Sequence, residues 1–451
     1  MNDTIAAIST ATSRGAIGII RLSGKESIEI LKKIFSSYNK KELENFKLTY
    51  GKIVDNFNNK ELDEVLVAVM RAPKSYTKED MVEINCHGGN LILKKILNLL
   101  IKNGARVAEM GEFTKRAFLN GRIDLTQAES IIDLVDSISE KNLDISLKNM
   151  EGRLREKVLE FKEKLINILS SINVVVDYPE EVEDELSNNA IIQIEDLIRR
   201  IKIIIESYET GKKIREGIKL SIVGKPNVGK SSILNKLLRT NRAIVTDIPG
   251  TTRDIIEESF LIKGLPIILL DTAGIRETDN PVEKIGVELS KESINEADLI
   301  LFILDSSREI SNEDIAIFNL IKEKKVIYVL NKKDLDQKLN VEKLNLRNSI
   351  RISTKDIKDL ETLEELIYQE IDKKDISSKS EELILNNIRH KNLFEKCFQH
   401  LNSFLQNAYS NPLDIASIDL KAAIDSLSEI IGEVTSEDVL DNIFKNFCVG
   451  K

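Results

Sequence analysis

The chain carries Gly224-Lys225-Pro226-Asn227-Val228-Gly229-Lys230-Ser231, which fits the pattern G-x-x-x-x-G-K-[ST]. An apolar run of strand length, residues 220–223, precedes it, and a helical pattern follows from Ser232. Glycines at these positions allow backbone N–H groups to wrap phosphate oxygens, with the N-terminus of the next helix directed at them. Lys230 would reach the β- and γ-phosphates, and the Ser231 hydroxyl would coordinate Mg²⁺. The segment therefore predicts a nucleotide-binding α/β domain.

Three further motifs each follow an apolar run of strand length. Asp271-Thr272-Ala273-Gly274 places an aspartate where the magnesium site needs support and a backbone N–H where the γ-phosphate is expected. In Asn331-Lys332-Lys333-Asp334, the Asp334 carboxylate can accept two hydrogen bonds from guanine that adenine cannot donate in that pattern. Buried polar groups left unpaired by the wrong base make such discrimination large. Ser353-Thr354-Lys355 would support the base, so the sequence predicts GTP as the nucleotide.

Hydrophobic periodicity divides the chain into four parts. Residues 1–118 mix short strand-like runs with helical patterns, which predicts an N-terminal α/β domain. Residues 119–215 and 379–451 carry apolar side chains at helical spacing. Residues 216–378 alternate between strand and helix patterns, which is typical of a buried parallel sheet flanked by helices. We therefore predict a Ras-like P-loop domain inserted into a helical domain whose two halves are separated in sequence.

Composition narrows the class of protein. With 451 residues, of which 42% are hydrophobic and 31% charged, the chain is expected to be a soluble protein of several domains. Its net charge of −9 argues against binding nucleic acid through overall charge, although a local basic face remains possible. Three widely separated cysteines fit a reducing compartment. No apolar stretch approaches the ~20 residues that span a bilayer, so we expect a cytoplasmic protein without a membrane partner.

The sequence resembles the MnmE (TrmE) family of tRNA modification GTPases over its whole length. Besides the nucleotide loops, the resemblance rests on four segments. The first, Thr246-Asp247-Ile248-Pro249-Gly250-Thr251-Thr252-Arg253-Asp254, is similar to the family's switch I. The others are Gly111-Glu112-Phe113-Thr114-Lys115-Arg116-Ala117-Phe118-Leu119-Asn120-Gly121-Arg122, Cys86-His87-Gly88-Gly89 and Cys448-Val449-Gly450-Lys451. Related GTPases share the nucleotide loops, whereas the second of these segments and the C-terminal one are specific to this family.

The resemblance implies modification of certain tRNAs at carbon 5 of the wobble uridine, with an aminomethyl or carboxymethylaminomethyl group. A homodimer would work with a flavin-dependent subunit of the MnmG (GidA) type in a heterotetramer or larger assembly. The flavin is expected on that partner, because this chain has no G-x-G-x-x-G fingerprint. A tetrahydrofolate derivative, either 5-formyl- or 5,10-methylene-tetrahydrofolate, would supply the one-carbon unit and would bind in an N-terminal domain that resembles folate-binding aminomethyltransferases.

Residue by residue, the resemblance implies a folate pocket lined by Arg21, Glu83, Arg122 and Lys451. Arginines suit the carboxylates of the folate glutamate tail, and a carboxylate suits the donors of the pterin ring. Cys448 is either a nucleophile toward the uracil ring or a thiol that lines the pocket. A histidine beside two glycines, as at His87, is more often a packed or hydrogen-bonding turn residue than a catalyst.

Hydrolysis must work without the glutamine of Ras-like proteins, because Ile275 directly follows the Asp271–Gly274 motif. In the family a potassium ion takes the place of an arginine finger. The resemblance implies K⁺ ligands at Asn227, Thr246, Ile248 and Thr251, and it places Thr252 with Ser231 on Mg²⁺. Asn227 by itself is also explained as a turn residue.

Three acids follow the motif, Glu277, Asp279 and Glu283, and the resemblance selects Glu283 to position the attacking water. Its other interpretation is a solvent-facing acid at a helix start. The residues expected to contact GTP are Asn227, Val228, Gly229, Lys230, Ser231, Ser232, Thr246, Asp247, Ile248, Pro249, Gly250, Thr251, Thr252, Asp271, Thr272, Ala273, Gly274, Asn331, Lys332, Lys333, Asp334, Ser353, Thr354 and Lys355.

Two other functions are compatible with part of the sequence. A signalling or ribosome-assembly GTPase would use its nucleotide state to control a binding surface, and the two family-specific segments disfavour it. A folate-dependent aminomethyltransferase with a regulatory insert would act without a partner. Nucleoside mass spectrometry of tRNA from cells lacking the protein separates these alternatives. If the protein modifies the wobble uridine, that modification should be missing from the tRNA of these cells.

Overall fold

The computed structural model of the chain describes residues 3–11, 15–39, 42–177, 184–241, 259–270, 293–340, 346, 348–372, 383–408 and 413–450. Its elements group into an N-terminal unit, an inserted unit and a helical unit. Among the helices of these described residues, none combines the length with the apolar run that crossing a membrane requires.

The N-terminal unit is a sheet with helices on one face and at one end. Its strands are β1 Ile5–Ile8, β2 Ile17–Ser23, β3 Phe35–Ser37, β4 Leu48–Asp55, β5 Lys60–Met70, β6 Met81–His87 and β7 Arg106–Val107. Its helices are α1 Ser27–Ile34, α2 Asn90–Lys102 and α3 Glu112–Leu119. The order across the sheet is β3-β4-β5-β6-β2-β1-β7, and neighbouring strands are antiparallel except β1 and β7.

The two faces of this sheet differ, because successive side chains of a strand point to opposite sides. One face contributes Ile20, Val67 and Ile84 to a core shared with α1 and α2. The other face is covered near Met81 by Phe113 of α3. Beyond that cover it is open, and three apolar side chains from β4 and β5 are exposed there: Leu48, Tyr50 and Leu66.

The first part of the helical unit follows. Its helices are α4 Leu125–Val135, α5 Glu140–Met150, α6 Arg153–Asp177, α7 Asp184–Glu206 and α8 Tyr208–Glu216. Asp124 caps α4: its carboxylate accepts from the backbone N–H groups of Thr126 and Gln127, and the Gln127 side chain accepts from the Asp124 backbone. This capping box satisfies donors that a helix start leaves unpaired.

The inserted unit comprises β8 Ile218–Val223, α9 Lys230–Asn241, β9 Ser259–Ile262, β10 Leu265–Leu270, β11 Leu299–Asp305, α10 Asn312–Ile321, β12 Val326–Asn331, β13 Ser349–Arg351 and α11 Ile357–Asp372. Its sheet has the order β13-β12-β11-β8-β10-β9. The strands are parallel, as the sequence predicts, except that β9 pairs antiparallel with β10. Strand β9 was not among the strands predicted from the sequence. Lys263 and Gly264 have φ of 48° and 79°, which closes the tight hairpin that creates this edge strand.

The last helices return to the helical unit: α12 Ile388–Ala408, α13 Leu413–Ile431 and α14 Glu437–Phe444. Phe161 of α6, Ile194 of α7, Phe394 of α12 and Leu427 of α13 belong to one buried core. Segments from both sides of the insertion therefore share a single hydrophobic core. The predicted fold, a helical domain interrupted by a P-loop domain, is confirmed.

The segments that enter and leave the inserted unit are tied to each other. The Ser207 hydroxyl accepts a hydrogen bond from the Leu385 backbone N–H at 3.1 Å. A Cβ atom on Gly211 would lie 2.0 Å from the Leu385 carbonyl oxygen, so only glycine allows this approach. Nearby, the buried Glu129 carboxylate of α4 accepts from Arg389 and His390 at 2.6 and 2.7 Å.

Candidate functional site

The phosphate loop joins the C-terminal end of β8 to the start of α9. Gly224 and Gly229 have φ of 149° and 102°, a conformation that other residues rarely adopt. Added Cβ atoms would approach the Ile303 carbonyl oxygen to 2.6 Å and the Asn331 side chain to 2.2 Å. Both glycines are thus required for the chain to wrap closely at the end of the sheet, where the backbone amides can face a phosphate.

Lys230 lies inside this loop. Its ammonium donates hydrogen bonds to the carbonyl oxygens of Gly224 at 2.6 Å and Lys225 at 2.9 Å. Burial lowers the pKa of Lys230. A phosphate oxygen would provide the counter-charge that these carbonyls do not, and would favour the protonated amine.

Two residues of the Asn331–Asp334 motif hold the phosphate loop. The buried Asn331 side chain donates to the Val228 carbonyl at 2.8 Å. The Lys332 ammonium donates to the Asn227 carbonyl at 3.0 Å and pairs with Asp305 at 2.7 Å. Burial would raise the pKa of Asp305, but its contacts with Lys332 and Ser307 outweigh burial and lower it. The loop after β8 and the Asn331–Asp334 loop are therefore joined by side-chain hydrogen bonds.

Asp334 stands at the outer end of the same motif. Its carboxylate accepts from the Ser353 hydroxyl at 2.9 Å and from the Lys355 ammonium at 2.7 Å. These contacts, the Lys355 hydrogen bond first, lower the pKa of Asp334, so the group is an acceptor at neutral pH. Two oxygens of an ionised carboxylate match the two neighbouring N–H donors of guanine.

Other predicted nucleotide residues take different positions. Lys333 turns away from Asp334, because its ammonium pairs with Asp359 at the start of α11. Asn227 has φ of 65°, a left-handed conformation that asparagine tolerates, and this agrees with both interpretations of the residue. Strand β10 ends at Leu270, directly before the Asp271 motif. The predicted residues that lie outside the described part of the chain are Thr246, Asp247, Ile248, Pro249, Gly250, Thr251, Thr252, Asp271, Thr272, Ala273, Gly274, Glu283 and Lys451.

The N-terminal unit brings two of the residues predicted for folate into contact. Arg21 of β2 is paired with Glu83 of β6 in the sheet register, and its Nε donates to the Glu83 carboxylate at 2.6 Å. Both side chains project from the face that α3 only partly covers. Since one carboxylate oxygen is engaged by Arg21, the other is available to donors of a heteroaromatic ring.

Arg122 lies at the edge of a cavity of about 420 Å³ on the same unit. Its guanidinium stacks 4.6 Å from the centre of the Tyr76 ring, and its Nη1 donates to the Tyr76 carbonyl at 3.2 Å. Burial raises the pKa of Tyr76, against the opposing effects of its hydrogen bond to Thr114 and of the charges of Arg122 and Arg21. Tyr76 therefore lies within electrostatic reach of both predicted arginines.

The C-terminal segment crosses from the helical unit to the N-terminal unit. Val449 forms a bridge with Met110, and the Gly450 carbonyl accepts from the Ser9 hydroxyl at 3.1 Å. Gly450 has φ of 95°, and an added Cβ atom would lie 2.6 Å from the Ile8 carbonyl oxygen. Cys448, just before this contact, is an exposed free thiol. The segment thus ends beside β1, whose Ala7 is paired with Arg21.

Three residues that make contacts in these units were not predicted from the sequence: Tyr76, Asp305 and Asp63. Tyr76 lies in the loop between β5 and β6, where a run rich in proline, serine and lysine was the available signal. Asp63 accepts from the exposed His87 ring at 2.6 Å. His87 is therefore a hydrogen-bonding residue, as the sequence predicts.

Comparison with family models covers most of the chain. Residues 4–122 match the model described as GTP-binding protein TrmE N-terminus, and residues 125–448 match the model described as MnmE helical domain. Among solved structures, Aquifex aeolicus Era bound to GDP and aluminium fluoride is 30% identical over 40% of this chain and 65% of that chain, with a TM-score of 0.26.

Curated relatives match over the full length. The tRNA modification GTPase MnmE of Alkaliphilus metalliredigens is 46% identical over 460 residues, with 100% of both chains covered. That of Thermoanaerobacter pseudethanolicus is 48% identical over 460 residues, covering 100% of this chain and 99% of the relative. The MnmE of Clostridioides difficile is 46% identical, again with 100% of both chains covered. The protein therefore belongs to the MnmE (TrmE) family of tRNA modification GTPases, and it is a GTP hydrolase that acts in tRNA modification.

Proposed function

We propose that the protein modifies carbon 5 of the wobble uridine of certain tRNAs, adding an aminomethyl or carboxymethylaminomethyl group. A tetrahydrofolate derivative bound to the N-terminal unit would supply the one-carbon unit. The protein would act in the cytoplasm as a homodimer with a flavin-dependent subunit of the MnmG type. Because the net charge is −9, we expect most of the tRNA contacts on that partner or on the assembled complex.

The observation that carries this proposal is the contact between Arg21 and Glu83 beside the cavity edged by Arg122. Apolar and aromatic side chains, among them Phe46, Met70 and Tyr76, together with cations line that cavity, and such a lining fits a heteroaromatic ring with an anionic tail. Glu83 would accept hydrogen bonds from the ring, and Arg122, held by Tyr76, would face the carboxylates. The position of Gly450 on Ser9 supports Lys451 as a member of the same pocket.

For the inserted unit we propose Mg²⁺ ligands at Ser231 and Thr252, and K⁺ ligands at Asn227, Thr246, Ile248 and Thr251. The described part of this set fits: Ser231 stands in the first turn of α9, and Asn227 is fixed in the phosphate loop through its contact with Lys332. A bound K⁺ would supply positive charge near the phosphates. Ile275 has no group that can position the attacking water, and the family resemblance selects Glu283 for that role.

The open part of the N-terminal sheet supports the proposed homodimer. Leu48, Tyr50 and Leu66 are 62%, 50% and 41% exposed, and they lie side by side through the registers of β4 and β5. A contiguous apolar area of this kind is typical of an interaction surface. Tyr50→Glu should shift the protein toward monomer in light scattering, whereas a dimer of unchanged stability would exclude this surface.

Complementation tests the proposed function. Cells that lack the protein should lose the wobble-uridine modification in nucleoside mass spectrometry, and the wild-type gene should restore it. Lys230→Ala should fail to restore it while still binding 5-formyltetrahydrofolate, because the two sites lie in different units. Arg21→Ala should weaken folate binding while GTP hydrolysis persists. Normal wobble uridines in the deletion strain, or an unaffected folate titration for Arg21→Ala, would contradict the proposal.

A further inference from the structure

The loop between β5 and β6, residues 71–80, separates its charges. Its two acids face inward: the Glu79 carboxylate accepts from the buried Arg116 at 3.1 Å and from Ser23 at 2.7 Å. Asp80 accepts from the Ala72 backbone N–H at 2.8 Å. The cations of the loop face outward instead, since Arg71, Lys74 and Lys78 are all exposed. A chain with a net charge of −9 thus has a local positive surface here.

Two of these cations line the 420 Å³ cavity that Arg122 also borders. We call Lys74, Lys78 and Arg122 the cation rim. The rim is anchored, because the Lys78 ammonium donates to the Gly121 carbonyl at 2.9 Å, next to Arg122 in the chain. A lysine ammonium has three donors, so Lys78 can bind an anion without losing this anchor.

The rim lies at a suitable distance from the ring-binding end of the pocket. Met70, which lines the cavity, is paired with Met81 in the sheet register. Met81 lies two residues before Glu83 on the same strand and the same face, which is a separation of about 7 Å. A ligand whose ring is held by Glu83 would therefore extend its tail toward the rim.

The charge of Arg21 is balanced by Glu83, which accepts from its Nε at 2.6 Å. Arg122, in contrast, has no acidic partner among the ion pairs of the described residues. Three cations therefore line a cavity that has no acidic residue among its described lining residues. This is more positive charge than the two carboxylates of a single glutamate require.

We propose that the cation rim binds the polyglutamate tail of reduced folates and makes the pocket selective for polyglutamylated forms. The inference rests on the proposed folate function. Each additional glutamate brings one further carboxylate to the rim. Exposed ion pairs contribute little individually, so the preference should come from several of them and amount to about tenfold between triglutamate and monoglutamate. Screening should reduce it at high salt.

Calorimetric titration of the full-length protein with 5-formyltetrahydrofolate, as monoglutamate and as triglutamate, tests the inference. Wild type should bind the triglutamate about tenfold more tightly at 50 mM salt and lose most of that difference at 500 mM. In the double variant Lys74→Ala/Lys78→Ala, the ratio of the two affinities should fall to about one. Lys60→Ala, which removes an exposed lysine at the other end of β5, should retain the wild-type ratio.

The possible failures are distinguishable. If wild type binds neither folate, the proposed function itself is wrong. If wild type binds both forms equally, or if the double variant keeps the tenfold affinity ratio, the cation rim does not bind the polyglutamate tail. The proposed folate function would still stand. If the double variant loses tRNA binding while its folate ratio is unchanged, the cations contact nucleic acid and the inference is overturned.

Discussion

The Asp334 carboxylate accepts a hydrogen bond from the Ser353 hydroxyl at 2.9 Å. This contact joins the end of the Asn331–Asp334 motif to the loop after β13, and it fixes one oxygen of the carboxylate. The other oxygen is 2.7 Å from the Lys355 ammonium. Because the Lys355 side chain is 79% exposed, guanine can displace it at small cost.

Replacing Asp334 with asparagine should change the base preference. The amide nitrogen becomes a donor where guanine also presents a donor, whereas xanthine presents a carbonyl oxygen at that position. We expect Asp334→Asn to raise KM for GTP by 100-fold or more, on the order of the 3 kcal/mol that a lost charged hydrogen bond costs, and to favour xanthosine triphosphate. Steady-state kinetics with both nucleotides measures this change.

Asp336→Asn, two residues further along the same loop, is the matched control and should hydrolyse GTP normally, since Asp336 is exposed. An unchanged KM for GTP in Asp334→Asn would show that this carboxylate does not read the base.

Glu283→Ala should affect turnover and not nucleotide affinity. If Glu283 positions the attacking water, its loss should lower kcat by roughly a hundredfold or more with GTP affinity little changed. Exchange of K⁺ for Na⁺ should slow hydrolysis by wild type strongly but barely alter the residual rate of the variant. The reason is that loss of K⁺ and loss of Glu283 would both disrupt the same arrangement of the attacking water. Glu277→Ala and Asp279→Ala are the matched controls. Full K⁺-stimulated turnover in Glu283→Ala would make it an ordinary surface acid.

Deletion of Gly450 and Lys451 should impair tRNA modification while GTP hydrolysis stays near normal, because the C-terminal segment contacts the N-terminal unit. Gly450→Ala is a sharper variant that retains Lys451. Its Cβ atom would lie 2.6 Å from the Ile8 carbonyl oxygen, and φ of 95° is strained for alanine. The C-terminal segment should therefore lose its contact with Ser9. Nucleoside mass spectrometry of complemented cells measures the outcome. Normal modification with Gly450→Ala would separate this contact from the chemistry.

The pH dependence of stability should report on Glu129. Burial would raise the pKa of this carboxyl, but the charges of His390 and Arg389 outweigh burial and hold it well below its usual 4.5. A depressed folded-state pKa contributes stability above the usual pKa, and that contribution is lost as the pH falls below it. Glu129→Gln should therefore cost about 3 kcal/mol at pH 7, and less as the pH falls below 4.5.

Calorimetric Tm values of wild type and Glu129→Gln at pH 7 and pH 3.5 test this expectation. Burial and the charge of Glu129 both raise the pKa of Asp133, so the comparison is repeated in an Asp133→Asn background, in which Asp133 does not titrate. Glu433→Gln, which breaks an exposed pair with Lys162, is the control and should change Tm little. An equal Tm difference at both pH values would mean that the charge of Glu129 does not stabilise its contacts with Arg389 and His390.

The sequence by itself determined the local features of this protein. The spacing of Gly224 and Gly229 predicts a wrapped phosphate loop, and the backbone has the required left-handed conformations there. Apolar runs before the nucleotide motifs predict strands at those places, and β8 and β10 end directly before two of the motifs. Helical periodicity predicts helices within residues 119–215 and 379–451, and α6 and α12 lie there. These features depend on neighbouring residues and on the conformations they allow, so a contiguous segment contains the information.

Only the tertiary structure decided which side chains meet. Arg21 and Glu83 are paired because the antiparallel register of β2 and β6 sets them opposite each other, and a shift of one residue would turn either to the other face. The stacking of Arg122 on Tyr76 and the contact of Gly450 with Ser9 join distant parts of the chain. Lys333 turns to Asp359 although its motif suggests the base. Such partners are selected by packing and by burial of charge in the assembled fold, and no local pattern encodes them.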